Sequence, residues 1–376
     1  MKILIAADSF KDALDSFGVC DAIAKGLLRG DPSLNIQKFP LSDGGEGSTE
    51  VLAFHTGGSV KQVQVHDPLM RKITASYLIS TDQGTAFIEM AKACGLELLT
   101  IDERTPMLTT TFGLGELILD AIAEGVREIF ISIGGSATND AGMGMATALG
   151  YVFYDKHQNL LDGKGCNLVL VESVEVADLI KAQLSQIKFT TLCDVTNPLY
   201  GSQGSARVFA KQKGADDNEI AFLDQGLQHF AKIMDKTHLN NVKGAGAAGG
   251  LGYGTMVFLN ARLSSGITQM MEMTRFEDEV KAADIIITGE GKIDNQTTSG
   301  KLIQGIANMA AKYHKPVIAL CGKLLATPED IQNLGLKEVY PISQVYEPLE
   351  VMLQKTAINL EQTAYDLTPK LGTYME

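Results

Sequence analysis

Residues 2–8 read KILIAAD, a short apolar run that ends in an acid. A run of this length and composition predicts a strand buried on both faces of a parallel sheet. Val19, Ile23 and Leu27 recur at four-residue spacing and predict an amphipathic helix over 13–29. Residues 35–40 read as a second strand that runs into SDGGEG at 42–47, with a helix starting near Ser48. The same alternation returns from about 276, with strands expected at 284–288, 316–320 and 339–342. Helices are expected at 299–312, 327–333 and 347–365. Five parallel-type strands thus come from the two ends of the chain, which predicts a doubly wound, Rossmann-like domain interrupted in the middle.

The middle differs in kind. Strand-like runs at 60–65, 73–80 and 85–90 are joined only by DPLMRK and STDQG, so antiparallel hairpins are expected. Leu114, Leu117, Ile118, Ala121 and Ile122 give 112–125 one apolar face and predict a helix. A strand at 128–133, the loop GGSATNDAG and a small-residue helix to about 149 follow. Further on come a strand at 189–193, a long helix at 216–235, and a stretch at 244–254 that is nearly all Gly and Ala. The expected organisation is α/β with two domains: residues 1–62 plus 275–376, and an inserted mixed α/β domain at 63–274. The active site is expected in the cleft between them.

Composition narrows the function classes. The net charge is −13 and no basic run of five residues exists, which argues against nucleic acid, whose phosphates require clustered Lys and Arg. No apolar run approaches the roughly 18 residues that a membrane span needs. The start turns polar too soon for a signal peptide. Five cysteines at 20, 94, 166, 193 and 321 form no CxxC and are odd in number, so free thiols in a reducing, cytoplasmic compartment are expected. Several familiar sites are absent. Gly244–Gly249 fits GxGxxG, but HLNNVK before it is a poor strand. Gly300-Lys301 lacks the first glycine and the hydroxyl of a phosphate-binding P-loop. Neither the HRD and DFG signatures, nor GxSxG, nor HExxH occurs.

What remains is a set of loops at predicted strand ends that carry acids, hydroxyls, amides and glycines. They are Asp8-Ser9-Phe10-Lys11, SDGGEG at 42–47, GGSATND at 134–140, DVTNP at 194–198, and GEGKID at 289–294 followed by Gln296-Thr297 and Gly300-Lys301. One such loop is an ordinary turn. Five at strand ends offer backbone amides for phosphates, carboxylates for a metal or a proton, and lysines for developing charge, which is the inventory of phosphoryl transfer.

The strings DSFK (8–11), SDGGEG (42–47), GGSATNDAGMGM (134–145), CDVTNPLYG (193–201), QKGA (212–215), GAAGGLG (246–252) and GEGKIDNQTTSGK (289–301) resemble the type I glycerate kinases from one end of the chain to the other. The resemblance implies ATP-dependent phosphorylation of D-glycerate to 2-phosphoglycerate, a flavodoxin-like domain built from both termini, and an inserted mixed domain. The chain departs from the family at Ala7, at Ala210-Lys211-Gln212-Lys213-Gly214 and at Leu302-Ile303, where proline is common or the glycine pattern differs.

Within that frame Asp194 is the first candidate for the carboxylate that orients or deprotonates the acceptor hydroxyl, with Asp43 second; a turn or cap aspartate is the plainer alternative. Lys11 and Lys301 are candidates for the transferring phosphoryl or the substrate carboxylate. Asp8, Ser9, Gln296, Thr297 and Asn197 join them around the substrate. Gly134, Gly135, Ser136, Asn139, Asp140, Gly249, Gly250 and Gly289 are candidates for the nucleotide phosphates, with packing the alternative for the glycines. Glu290 and Asp294 are candidates for Mg²⁺, which prefers oxygen ligands. The expected partners are D-glycerate and ATP, with no nucleic acid and no membrane, in a monomer or small homo-oligomer. A kinase of another small hydroxy acid or polyol is the alternative, and a non-catalytic small-molecule sensor a more distant one.

Overall fold

The computed structural model describes residues 1–45, 47–293, 302–343 and 348–374. Lys2–Ile5 (β1) and Asn35–Lys38 (β2) come first. Ser59–His66 (β3), Lys72–Ile79 (β4), Thr85–Glu89 (β5), Glu128–Ser132 (β6), Val152–Tyr154 (β7), Ser173–Glu175 (β8), Lys188–Leu192 (β9) and Arg262–Ser264 (β10) follow. Ile285–Ile293 (β11), Val317–Leu324 (β12) and Glu338–Pro341 (β13) come last. The chain divides into two compact units, residues 1–43 with 267–376, and residues 44–266.

The first unit is a parallel sheet in the order β13-β12-β11-β1-β2. Counted along the unit's own chain this is 2-1-3-4-5, the flavodoxin-like order. Alternation decides the two cores. Leu4, Ala6, Ile286, Val317 and Ala319 face the helices Phe276–Ala282 and Leu302–Lys312. Ile3, Ile5, Ala7, Ile285, Ile287 and Leu320 face Ser16–Gly30 and Leu349–Leu367. The apolar runs of β1, β11 and β12 are buried on both faces and read as continuous in the sequence, whereas the edge strands β2 and β13 are exposed or half-buried. Asp15 caps the first helix by accepting from the Gly18 N–H.

Ser16–Gly30 and Leu349–Leu367 approach closely at Gly26, where an added Cβ would lie 2.1 Å from the Glu361 carbonyl oxygen. In a free helix Gly→Ala stabilises by roughly 1 kcal/mol. Here the sign reverses: Gly26→Ala is expected to destabilise by about 2 kcal/mol, seen as a lower denaturant midpoint at unchanged slope. An unchanged or raised midpoint would mean the helix pair yields without cost.

The second unit holds a mixed sheet in the order β10-β9-β6-β5-β4-β3. β3, β4 and β5 are antiparallel, whereas β5, β6, β9 and β10 run parallel. The small ribbon of β7 and β8 stands apart. Residues 44–62 group with this unit because the helix Ser48–Thr56 packs on β4 and β5 and β3 pairs along its length with β4. Residues 267–274 group with the first unit because Ile267 and Met271 enter its core. The unit boundaries therefore fall at 43/44 and 266/267, where the sequence suggested 62/63 and 274/275.

The glycine–alanine stretch, read from sequence without an element, forms the helix Ala247–Leu259 with a left-handed kink at Ala248, Gly249 and Gly250.

Candidate functional site

In a 2-1-3-4-5 sheet the connections diverge between its first and third strands, and ligands bind beyond the carboxyl ends there. In this chain those strands are β1 and β11. The pairing continues past β1: the Asp8 N–H donates to the Gly289 carbonyl at 3.1 Å, and the Leu41 N–H to the Ala7 carbonyl at 3.1 Å. Asp8, Asp43 and Glu290 are thereby drawn to the carboxyl ends of three adjacent strands. Asp8 is half-buried, and its carboxylate accepts from the Ser9 N–H at 2.7 Å. Burial first, then the nearby charges of Asp43 and Glu290, push its pKa up to about 8, against the pull of the Ser9 N–H. Residues 289–293, expected as a loop after a strand at 284–288, instead continue β11 in register with β12. Gly289 has a packing reason there: a Cβ would meet the Leu320 carbonyl oxygen at 2.7 Å and the Phe10 ring at 3.4 Å. Lys11 is exposed beside Gly291. Asp294, Gln296, Thr297 and Lys301 lie outside the described residues.

The parallel strands of the second unit end level with one another. Glu89 pairs with Ser132, Ser132 with Leu192, and Leu192 with Ser264. Beyond Ser132 the chain makes an exposed turn at Gly134 and Gly135, with Gly135 left-handed at φ 71°. The turn is tied back by the Leu96 N–H donating to the Gly135 carbonyl and the Ala137 N–H to the Cys94 carbonyl. Ser136 then dives inward, and beneath it lies Lys213, 2% exposed. The Lys213 Nζ donates to Ser136 Oγ at 2.6 Å and to the Thr138 carbonyl at 2.7 Å. Burial lowers the Lys213 pKa to about 7, and the neighbouring Asp140 works against that.

Asn139 and Asp140 are fully buried. Asp140 accepts four hydrogen bonds: from the N–H and hydroxyl of Thr111, each at 2.8 Å, and from the Gly142 and Gly144 N–H groups, each at 3.1 Å. It therefore binds the start of the helix Phe112–Ala123 to the start of Met143–Ala148. Asn139 is different: both its side-chain Oδ1 and Nδ2 are buried without a protein partner among the described residues, as is Thr138 Oγ1. Gly249 packs directly on this loop, since a Cβ there would lie 2.0 Å from the Thr138 carbonyl oxygen. One at Gly250 would meet Leu199 and Leu227. Close packing and positive φ account for glycine at both positions.

Asp194, just past β9, is exposed, and its Oδ1 accepts from the N–H of Gly266, the first residue of the helix Gly266–Met273. That is the geometry of a capping aspartate. Asn197 is half-buried. Its side-chain amide donates to the Gln203 carbonyl and its own carbonyl accepts from the Gly246 N–H, so it shapes the turn that follows.

Two charged residues escaped the sequence reading. Lys213 lies in the QKGA string, but nothing in the string shows that the lysine turns inward. Glu89 ends β5 as the other acids end their strands, yet Met90-Ala91-Lys92 follows it instead of glycines. It is 2% exposed and accepts from the Thr49 N–H at 2.6 Å, with burial raising its pKa. Among the described residues no three or more His, Cys, Asp or Glu side chains form a closed metal cage. No helix among them is long and apolar enough to cross a membrane.

A flavodoxin-like sheet with acids at its switch point, joined to a mixed-sheet unit with a glycine turn over a buried lysine, defines a two-unit α/β enzyme. The sequence profile of the glycerate kinase family matches residues 3–371, and the chain belongs to that family. It is 39% identical over 370 residues to a glycerate kinase of Bacillus cereus, covering 98% of this chain and 97% of that protein. It is 42% identical over 345 residues to the glycerate 2-kinase of Escherichia coli, covering 91% and 90%. A crystal structure described as glycerate kinase 2 of Salmonella typhimurium LT2 superposes with a TM-score of 0.86 at 39% identity, covering 99% of this chain and 98% of that one.

Proposed function

We propose that this chain transfers the γ-phosphoryl group of ATP to the 2-hydroxyl of D-glycerate, giving 2-phospho-D-glycerate and ADP. The observation that carries the chemical reading is the gathering of Asp8, Asp43 and Glu290 at the switch point of a chain in this family. The choice of the 2-hydroxyl follows the relative named glycerate 2-kinase.

In the proposed reaction the hydroxyl oxygen bonds to the γ-phosphorus. The bond from that phosphorus to the β,γ-bridging oxygen breaks, and ADP leaves with its electron pair. The hydroxyl proton passes to the Asp8 carboxylate. A base titrating near the working pH suits that transfer, and crowding by Asp43 and Glu290 raises Asp8 toward it. Asp194 is the second candidate, and its hydrogen bond to Gly266 already gives it a structural task. Ser9 and Lys11 are assigned to the glycerate carboxylate. The exposed Gly134-Gly135 turn, with Ser136, is assigned to the nucleotide phosphates.

Mg²⁺ takes one or two carboxylates together with waters and phosphate oxygens. The oxygen donors Asp43 and Glu290, crowded against Asp8, suit it, and a cation there would relieve their mutual repulsion. Bound with ATP, the ion neutralises phosphate charge. Five free cysteines support a reducing, cytoplasmic setting.

ADP release measured with D-glycerate, with L-glycerate and without acceptor tests the reading, and phosphorus NMR of the product identifies the esterified oxygen. Release only with D-glycerate and a phosphorus signal coupled to the C2 proton are expected. Equal ADP release in all three reactions, or a 3-phosphate, would sink it.

A further inference from the structure

Lys213 is a fully buried lysine with no carboxylate hydrogen-bonded to it among the described residues; its partners are the Ser136 hydroxyl and the Thr138 carbonyl. A buried lysine that is neither paired nor exposed is costly. Both partners belong to the loop that begins with the exposed Gly134-Gly135 turn, and Asn139 in the same loop buries an amide with neither atom partnered among the described residues. The loop is held shut from behind, where the Ala141 N–H donates to the Gly249 carbonyl and Gly249 leaves no room for a Cβ against Thr138. Ser136 follows directly on the exposed glycine turn.

We infer that Lys213 is a positioning residue for polyphosphate binding, holding residues 134–138 in an anion-ready shape and taking up a proton when the phosphates of a nucleotide settle on the turn. This rests on the assignment of that turn to the nucleotide phosphates. In the ligand-free chain burial favours the neutral amine, and an anion nearby favours the ammonium. Among the described residues Asp140 is the charged group that acts on Lys213, and its own charge is already engaged by four hydrogen bonds. Arg104, whose backbone packs on Gly214, is the nearby cation. The lysine's pKa of about 7 places the proton uptake within reach of ordinary buffers.

The test is calorimetry of MgADP binding to the full chain at pH 6 and pH 8, each in two buffers of different ionisation enthalpy. The wild type is expected to take up most of one proton at pH 8 and little at pH 6. Lys213→Met is expected to abolish the uptake and raise Kd at least about tenfold, an effect a merely structural lysine would not produce on proton linkage. Equal uptake by wild type and Lys213→Met, or none by a wild type that binds MgADP, overturns the inference. Should Lys213→Met fail to fold, Ser136→Ala keeps the lysine and removes its hydroxyl partner. A Kd raised about threefold or more is then expected, and unchanged Kd and uptake would overturn the inference. Gly135→Val separates the two levels. If it leaves MgADP affinity intact, the turn is not a phosphate site and the inference falls with that assignment. If it abolishes binding while the wild type shows no uptake, the lysine's role alone fails.

Discussion

Asp8→Asn is expected to lower kcat by roughly 10²–10⁴-fold while making the protein more stable at neutral and alkaline pH. Both effects come from the crowding of Asp8 by burial and by Asp43 and Glu290, which holds its pKa at about 8 in the folded chain against 3.8 as a free side chain. The unfolded chain releases this proton near pH 4 and the folded chain only near pH 8. Between those values the folded state binds more protons than the unfolded, so wild-type stability falls as pH rises. Asparagine does not titrate and escapes that fall. The gain is expected to be roughly 1–3 kcal/mol at pH 8 in EDTA, after allowing for solvent screening, and close to nothing at pH 4. Denaturant titrations at the two pH values check this. The wild-type kcat/KM should also rise with pH toward about 8. Asp194→Asn is the control: it should cost about 1 kcal/mol or less through weakened capping and leave kcat within about tenfold. Full activity in Asp8→Asn, or a loss of 10²-fold or more confined to Asp194→Asn, would return the base to Asp194.

Asp140→Ala is expected to cost about 3–5 kcal/mol, a large part of the stability of an ordinary domain. The substitution strips the acceptor from Thr111, Gly142 and Gly144, all within a buried shell, and removes the nearby negative charge that favours protonation of Lys213. Equilibrium unfolding in urea measures it. A loss below about 1 kcal/mol would mean the four hydrogen bonds are replaced by water at little cost. Activity should fall in step with the folded fraction, which separates a staple from a ligand contact.

Much of the first unit was legible in the sequence because its strands are short apolar runs and its helices carry clean stripes. The helix expected over 13–29 is Ser16–Gly30; in the second unit the helix expected over 216–235 is Asp217–Ile233, with Asp216 as the cap. The hairpins of the second unit were legible from their helix-free spacing. The pair β7 and β8 was not, because three-residue strands carry no period. The glycine–alanine helix was hidden because its helical face is built from absence of side chains, which reads as loop composition.

The candidate site was legible as a list of loops and not as a geometry. Sequence gives Asp140 and Asp43 the same standing, an acid beside glycines at a strand end. Only folding shows that Asp140 gathers four hydrogen bonds from Thr111, Gly142 and Gly144, whereas Asp8 takes one from the Ser9 N–H and lies near the charges of Asp43 and Glu290. Lys213 was invisible for the converse reason. Lysine in a polar string reads as solvated, and its burial depends on a loop some 75 residues away in the chain.

The register of Ile3 with Ile285 has a consequence for biosynthesis. The ribosome makes β1 long before its neighbour β11, which emerges only after some 280 further residues, a wait of roughly 15–60 s at ordinary elongation rates. Residues 44–266 are complete and can condense meanwhile, while β1 and the helix after it have only β2 beside them and none of β11, β12 and β13 to join. A nascent chain of this protein should therefore present residues 2–30 to chaperones until residues 285–293 have emerged.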